Sequence, residues 1–453
     1  MNPSPTVRSV CPYDCPDTCG MLVEVAEGRA IKVSGVPNHP VTRGLLCPKM
    51  NHYERTVHSP RRLTQPLFRT GTKGEGTFTP ISWIEAIERI CCRWNELIAR
   101  HGAECILPYS YAGTMGLVQR NCGNAFFHKL EASRLERTIC SPAKDAGWKQ
   151  IMGETPAIDP ADMKHSDLII LWGINAAATS IHFMRDAQEA RRKGARLWAI
   201  DTYGTPTCDA VDEAFIVRPG GDSALALGMM HVIVREGLAD KVFIAYNVLG
   251  FDVLSEKILP ECTPEQMASV CGLPAETIER MAREYARAKG PFIRLGSGLT
   301  RYANGAMTVR TISCLPAVIG AWQRPGGGIL TGTSTGSAFP MQRITREDFI
   351  SGPSRLISMN QLGNALNDLS DPPVMSLYVY HSNPAAVAPD QNKVILGLAR
   401  DDLFTVVHER FMTDTARYAD ILLPATSSLE HSDLYRCYGG YHAQRCSAAI
   451  PAV

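Results

Sequence analysis

Three cysteines spaced C-x3-C-x3-C at Cys11, Cys15 and Cys19, with a fourth at Cys47, constrain this chain more than any other feature of it. On an uninterrupted helix the first three thiols would form one stripe, but Pro12 and Pro16 remove backbone donors and restrain the residues before them, so an irregular loop is expected. Such a loop lets sulfurs converge on one centre. The following MLVEV, a turn around Gly28 and AIKVSG predict a β-hairpin that returns the chain and delivers Cys47. Four thiolates suit a cubane 4Fe-4S cluster, whereas a zinc ribbon more often shows two C-x2-C pairs; structural zinc and unliganded thiols are the two alternatives. Lys49, two residues beyond Cys47, lies at the edge of any such centre, either as a solvated lysine or against a second cofactor.

The fifteen cysteines of the 453-residue chain read as metal ligands and small apolar side chains, because a chain this long needs no disulfide framework. Cys91, Cys92, Cys122, Cys208 and Cys314 are expected to be buried in the second role. The N-terminal MNPSPTVRSVC lacks a basic segment followed by an apolar one, and no apolar run is long enough to span a bilayer, so a cytoplasmic protein without membrane insertion is expected. With 46 basic and 45 acidic residues the net charge is +1, which leaves no global field to draw in nucleic acid.

Beyond the cysteine head, Ser82 and Glu85 predict a capping box opening a helix whose apolar face runs through Ile87, Ile90, Cys91, Trp94 and Ile98 to Gly102. From about residue 165 buried-strand runs alternate with helices: DLIILWGI, RDAQEARRKG, ARLWAID, FIVR and ALALGMMHVIVREG. A second set comes after it, with PFIRLGSG, a helix over 306–321, MSLYVYHSN, VILGLARDD, LFTVVHE and ADILLPAT. This is the rhythm of parallel doubly wound sheets. The expected fold class is α/β: a small iron-sulfur domain at 1–60 and two Rossmann-like domains, one from 61–165 with 335–453 and the other from 166–334. Two such sets suggest pseudo-symmetry, although no residue-level repeat stands out. PGGGILTGTSTGS, from Pro325 to Ser337, reads as a long loop.

The segments CPYDCPDTCG, TRGLLCPKM, RLTQPLFR, ISWIEAIERI, LWGINAAATS, IVRPGGD, HSNPAAVAPD and FMTDTARYADILLPAT, in that order, resemble the molybdopterin oxidoreductase (dimethyl sulfoxide reductase) family from about residue 7 to about residue 441. The resemblance implies a 4Fe-4S cluster beside two molybdopterin guanine dinucleotides that chelate one molybdenum or tungsten atom, bound at the carboxyl ends of the strands, a placement that the switch-point rule for open α/β sheets also gives. It places Gly173 and Asn175 on a phosphate or pterin edge, Asp201 on a ribose, and Pro219, Gly220 and Asp222 around a guanine, with Gly296 and Gly298 at the exit of the first strand of the other domain and Asn383 and Pro384 at a later strand's exit. By the residues alone, Asn175 and Asp222 serve equally well as helix caps. The metal's protein ligand falls in RTICSPAKDAG, on Cys140 with Ser141 as runner-up; the bland role of Cys140 is a buried small hydrophobe.

The function these features imply is that of an oxidoreductase working by two-electron chemistry on a small-molecule substrate, with electrons passed singly through the cluster to a redox partner protein, and with Lys49 between cluster and pterin. Formate is disfavoured because Ser141, not histidine, follows Cys140. Family members continue for a few hundred residues beyond the segment Leu423–Glu430, whereas this chain stops at Val453 with GGYHAQRCSAAIPAV, which reads as foreign to the family. Hence a separately encoded C-terminal chain is one expectation, and a non-catalytic electron-relay or structural subunit, or a truncated inactive homologue, is the alternative.

Overall fold

The computed structural model describes residues 5–333 and 338–452. The head forms as the cysteine spacing predicts. Strands Thr6–Val10, Gly20–Ala26 and Arg29–Gly35 make an antiparallel sheet, and the hairpin turns at Glu27 and Gly28, both with positive φ (50° and 72°) as a two-residue turn between right-twisted strands requires. The segment 11–19 is irregular, and the Cys11 amide bonds the Cys19 carbonyl at 2.9 Å to close it into a loop.

Behind the head lie two largely parallel sheets. The first has the order Glu213–Ile216, Arg196–Asp201, Leu168–Trp172, Pro291–Leu295, Gly328–Leu330, every pair parallel. Leu168–Trp172 and Pro291–Leu295 are buried at every residue, so the sheet is covered on both faces, as apolar runs without alternation imply. The order reverses between these two central strands, a topological switch point. The second sheet has the order Phe78–Pro80, Leu67–Arg69, Ile421–Pro424, Phe404–Glu409, Ser376–Tyr380, Ile106–Ser110. Its last four are parallel and the first two antiparallel.

Several expectations are corrected. Pro291–Leu295 does not open the second sheet; it pairs with Leu168–Trp172 in the first, and the edge place in the second goes to Ile106–Ser110, far earlier in the chain. A strand rhythm orders strands along the chain but does not say which sheet receives each. The segment from Pro325 is not all loop, since Gly328–Leu330 is a buried edge strand, and residues 334–337 of it lie outside the described residues. The helix Trp83–His101 starts at Ser82, whose hydroxyl accepts the Glu85 amide at 3.1 Å, but Glu85 turns its carboxylate to Arg89 instead of closing the box. Its buried face is Ala86, Ile90, Trp94 and Leu97, so the packed stripe is rotated and Ile87 and Cys91 are exposed. Cys92 and Cys122 are exposed too, and Cys208 and Cys314 only partly covered.

Candidate cofactor site

The four head cysteines stand together. Cys11 and Cys19 are buried, Cys15 and Cys47 partly so. Burial, and then the neighbouring Cys47 and Asp17, push the Cys11 thiol up to about 12, against a hydrogen bond from the Tyr13 amide and the Lys49 ammonium, which pull it down. Burial with the charges of Asp17 and the other cysteines raises Cys15 and Cys19 further. Such a set ionises only around a positive centre. Among the described residues no three His, Cys, Asp or Glu side chains gather as they would around one ion. Lys49 is exposed and within electrostatic reach of Cys11.

The head is held against both the first sheet and the C-terminal segment. Asp17, in the cysteine loop, meets His182 Nδ1 at 2.6 Å, and His182 Nε2 donates to the Leu45 carbonyl at 3.0 Å; His182 is 1% exposed. From the other side the hairpin Asp433–Arg436/Ala443–Cys446 brings the Gly439 amide to the Pro16 carbonyl at 3.1 Å and the Tyr438 hydroxyl to Asp14 at 3.0 Å. The final stretch is therefore part of the cysteine loop's packing. Tyr438, which sequence reasoning missed, is pushed up by burial and by Asp14, Cys15 and Cys140, so it stands between the head and the Cys140 loop. No sequence signal marks it, because its partners are more than 290 positions away.

Cys140 and Ser141 precede the helix Pro142–Met152. Ser141 Oγ bonds Asp145 at 3.2 Å rather than pointing away as a free ligand, and Cys140 is partly buried. Lys144, one turn on, is 9% exposed, bonds the Thr331 carbonyl at 3.0 Å, and is pushed down to about 8 by burial and the nearby Arg294.

At the switch point the glycines are explained by close backbone approach. A Cβ on Gly296 would stand 2.0 Å from the Gly173 carbonyl oxygen and one on Gly298 2.7 Å from it, and Gly173 itself has φ 63°. Asn175 does not cap the helix Ala176–Thr179; its Oδ1 accepts the Thr207 hydroxyl at 2.8 Å, and Thr207 Oγ1 accepts the Ala177 amide at 3.0 Å. Asp201 ends its strand, accepting the Thr202 amide at 2.8 Å, and burial raises it. Gly220 turns with φ 81°, next to Pro219. Asp222 opens the helix Asp222–Arg235, yet it is not the cap residue; it accepts the Trp172 indole N–H at 2.8 Å and its other oxygen is buried without a donor.

The second sheet repeats this arrangement residue by residue. Residues 168–216 and 376–424 align without a gap, each position n of the first matching n + 208 in the second. Asn383 Oδ1 accepts the Thr415 hydroxyl at 2.7 Å and Thr415 Oγ1 accepts the Ala385 amide at 3.0 Å. Glu409 takes the place of Asp201, accepting the next amide at 2.6 Å, and Asp420 accepts the Thr405 amide at 2.7 Å as Asp212 accepts that of Leu197 at 2.8 Å. Pro384 begins the short helix that matches Ala176–Thr179. Even the neighbouring strand corresponds: Gly113, after Ile106–Ser110, would place a Cβ 2.6 Å from the carbonyl oxygen of His381, the residue that matches Gly173. The structure thus aligns two segments in which no repeat stands out by sequence, and the constant offset between the N-x31-T pairs is the signal that finds Glu409 and Thr415, while Gly113 is found through the neighbouring strands Pro291–Leu295 and Ile106–Ser110. A cavity of about 220 Å³ at these exits is lined by Asn383, Glu409 and Arg410 together with Pro12 and Tyr13 of the cysteine loop. A broader one of about 640 Å³ runs from Ile139 past Arg301 and Tyr302 to Asn364 and Asp390.

A four-cysteine head set on two matched, doubly wound halves whose strand exits face cavities defines a cofactor-holding protein of the doubly wound α/β class. Residues 62–453 match the molybdopterin oxidoreductase family and residues 4–59 the molybdopterin oxidoreductase Fe4S4 domain, and the chain belongs to this family, whose cofactors are a 4Fe-4S cluster and a molybdenum or tungsten molybdopterin. The match reaches the last residue, which overturns the reading of the final stretch as foreign to the family. The chain is 45% identical over 439 residues to a probable oxidoreductase, YoaE, of Bacillus subtilis, covering 96% of this chain and 64% of that one. It is 28% identical over 495 residues to the dimethyl sulfoxide reductase DmsA of Escherichia coli, covering 94% and 59%. The acetylene hydratase of Pelobacter acetylenicus has the same fold, with a TM-score of 0.84 at 21% identity over 99% of this chain and 67% of that one. The chain spans less than two thirds of the length of these curated relatives. Among the described residues no helix is long and apolar enough to cross a membrane.

Proposed function

We propose that this chain is the cofactor-holding body of a molybdenum- or tungsten-dependent oxidoreductase, with two molybdopterin guanine dinucleotides on its matched halves and a 4Fe-4S cluster on Cys11, Cys15, Cys19 and Cys47. The observation that carries this reading is the duplication itself: one dinucleotide device, built twice, with the cysteine loop lining the cavity of the second copy. Gly173, Asn175, Asp201, Pro219, Gly220 and Asp222, with Gly296 and Gly298 across the switch point, hold one nucleotide; the unpartnered buried oxygen of Asp222 suits a guanine N–H donor. Asn383, Pro384, Gly113 and Glu409 hold the other. Cys140 is the metal's protein ligand in preference to Ser141, whose hydroxyl Asp145 already engages.

The bound metal supplies two-electron exchange with the substrate, and the cluster supplies single-electron steps. The chain's own part is to position and to insulate. Lys49 places a cation between cluster and pterin. The buried Asp17–His182 pair fixes the cysteine loop to the helix Ile181–Arg192 beside the first sheet, and Tyr438 spans from that loop towards Cys140. The proposed domains are 1–60, 61–165 with 335–453, and 166–334, working in the cytoplasm with a redox partner docking near the head.

Metal and nucleotide analysis of anaerobically purified protein tests this. About four iron atoms, with about one molybdenum or tungsten and two guanine nucleotides released on denaturation, are expected per chain. Iron without either heavy metal or guanine would replace the enzyme by the electron-relay or structural reading, and zinc without iron would remove the cluster from both.

A further inference from the structure

Beside the strand exits of the second sheet, a groove distinct from the cavity at Asn383 runs along the outer edge of Ile106–Ser110. Its inner chamber, about 210 Å³, is bounded by Ser110, Asn124, Arg137 and Tyr380. It shares His128, Arg134 and Ile350 with an outer chamber of about 310 Å³ that reaches the surface at Ser351 and Gly352. At the inner end the Arg137 guanidinium is held flat. Its Nε donates to the Ser110 carbonyl at 3.0 Å, and its Nη2 to Ser110 Oγ at 2.6 Å and Asn124 Oδ1 at 3.4 Å. The Tyr380 hydroxyl also donates to Asn124 Oδ1, at 3.4 Å. Ser110 Oγ and Asn124 Oδ1 are therefore spent on donors already present, the guanidinium meets only neutral acceptors, Tyr380 among them, and Asn124 Nδ2 donates to no described residue.

Charge sharpens the picture. Arg137 makes no ion pair among the described residues, and the groups that act on it are Tyr380, Arg120 and Tyr111, with no carboxylate among them. Burial lowers its proton affinity, but a guanidinium does not lose its charge. A partly buried cation without a counter-ion is costly, and a second cation, Arg120, adds to the local field. None of the nearby acids pairs with Arg137: in the outer chamber Glu104 answers the charge of Arg355 and Glu131 accepts from the Ser351 hydroxyl, while Glu347, at the wall of the inner chamber, is exposed to solvent.

We propose that this groove is a binding site for a small oxyanion, a carboxylate or a sulfur oxyanion, with Arg137 as its anchor and the Asn124 amide as its second donor. A guanidinium bonded only to neutral acceptors beside a free amide presents donors to two oxygens, and the missing negative charge is what the ligand contributes. The site does not depend on the metal, although Arg137 lies only three residues before Cys140 and so links an occupied groove to that loop.

The test uses the full chain as purified, titrated with sodium acetate, sodium sulfate and, as the uncharged counterpart, acetamide. Calorimetric binding is read alongside arginine modification by phenylglyoxal with peptide mass spectrometry. Saturable binding of acetate or of sulfate, protection of Arg137 by the same anion, and no response to acetamide are expected; which anion binds decides the class. Asn124→Asp should weaken that binding at least tenfold while the chain stays folded, because the new carboxylate supplies the counter-ion internally. No saturable binding of either anion, unprotected Arg137, or equal binding by the Asn124→Asp chain would each overturn the proposal.

Discussion

The two copies of the strand-exit device are alike where they face their cavities and unlike where they face the rest of the molecule. Asn175 with Thr207 and Asn383 with Thr415 make the same two bonds to within 0.1 Å. Their latching aspartates differ in company. Asp212 pairs with Arg191 on the adjoining helix, both partly exposed, whereas Asp420 holds Arg69 at 2.7 Å and Lys73 at 3.1 Å, with the Lys73 side chain 1% exposed. The second copy thus uses the same carboxylate to fasten the antiparallel segment Leu67–Pro80 that the first copy lacks. Geometry is preserved where a common ligand would impose it, and drifts where only the scaffold is served.

The largest expected consequence of that difference is in stability. Asp420→Ala leaves the buried Lys73 ammonium with only the Leu403 carbonyl and Thr405 hydroxyl and no counter-charge, and the Thr405 amide without an acceptor, for a loss of about 3–5 kcal/mol. Asp212→Ala breaks a pair with solvent access and one backbone bond, for about 1–2 kcal/mol. Denaturant unfolding of the two variants measures the gap, and equal losses would mean that the buried company of Asp420 is energetically idle.

Glycine substitutions come next. Gly298→Ala and Gly113→Ala meet matching carbonyl oxygens at 2.7 and 2.6 Å and should cost about 1–3 kcal/mol each, Gly113→Ala the more because its Cβ also meets the His381 carbonyl carbon and Cα at 2.7 Å. Gly296→Ala meets backbone at 2.0 Å, while its counterpart Tyr111 already carries a side chain, so Gly296→Ala should exceed both. Thermal unfolding ranks the three. On the binding side, Asn175→Ala and Asn383→Ala should each cost about 1 kcal/mol by stranding a threonine hydroxyl. Each should also lower guanine nucleotide content by about half if each half holds one nucleotide. Loss of all nucleotide from one variant and none from the other would break the equivalence.

Legibility followed locality. The cysteine loop, the hairpin and most strands were readable because each depends on neighbours in sequence: prolines that forbid a helix, a glycine turn, an unbroken apolar run. Which sheet took Pro291–Leu295 was not readable, because Ile106–Ser110, an ordinary apolar run near a helix, competes for the equivalent place. The stripe of Trp83–His101 was misjudged because Ile87 and Cys91 are apolar yet face water, and Ala86 carries little hydrophobic signal though it is fully buried. At the site, glycines and asparagines announced turns, but their partners, Thr207, Thr415 and Tyr438, are polar residues whose role exists only once distant strands meet.

The smallest effect concerns pH and belongs to one copy alone. Where the first copy has Gly173, the second has His381, also at positive φ (52°), its Nε2–H donating to the Gln119 carbonyl at 2.9 Å. Burial, with His408, His431 and Arg120 nearby, pushes His381 down to about 4. In the unfolded chain the ring takes up a proton near pH 6.5, whereas in the folded chain it stays neutral until about pH 4. The stability that a neutral His381 contributes is therefore present above pH 6.5 and is withdrawn as pH falls from there towards 4, by about 1 kcal/mol at pH 5.5. His381→Asn keeps a side chain that tolerates positive φ and removes the titration. The variant should lose less stability than the parent between pH 7 and pH 5.5, with hydrogen exchange showing the difference in strands Ser376–Tyr380 and Phe404–Glu409 and none in Leu168–Trp172. An equal acid response in both halves, or one unchanged in the His381→Asn chain, would place its origin elsewhere, His408 in the neighbouring strand included.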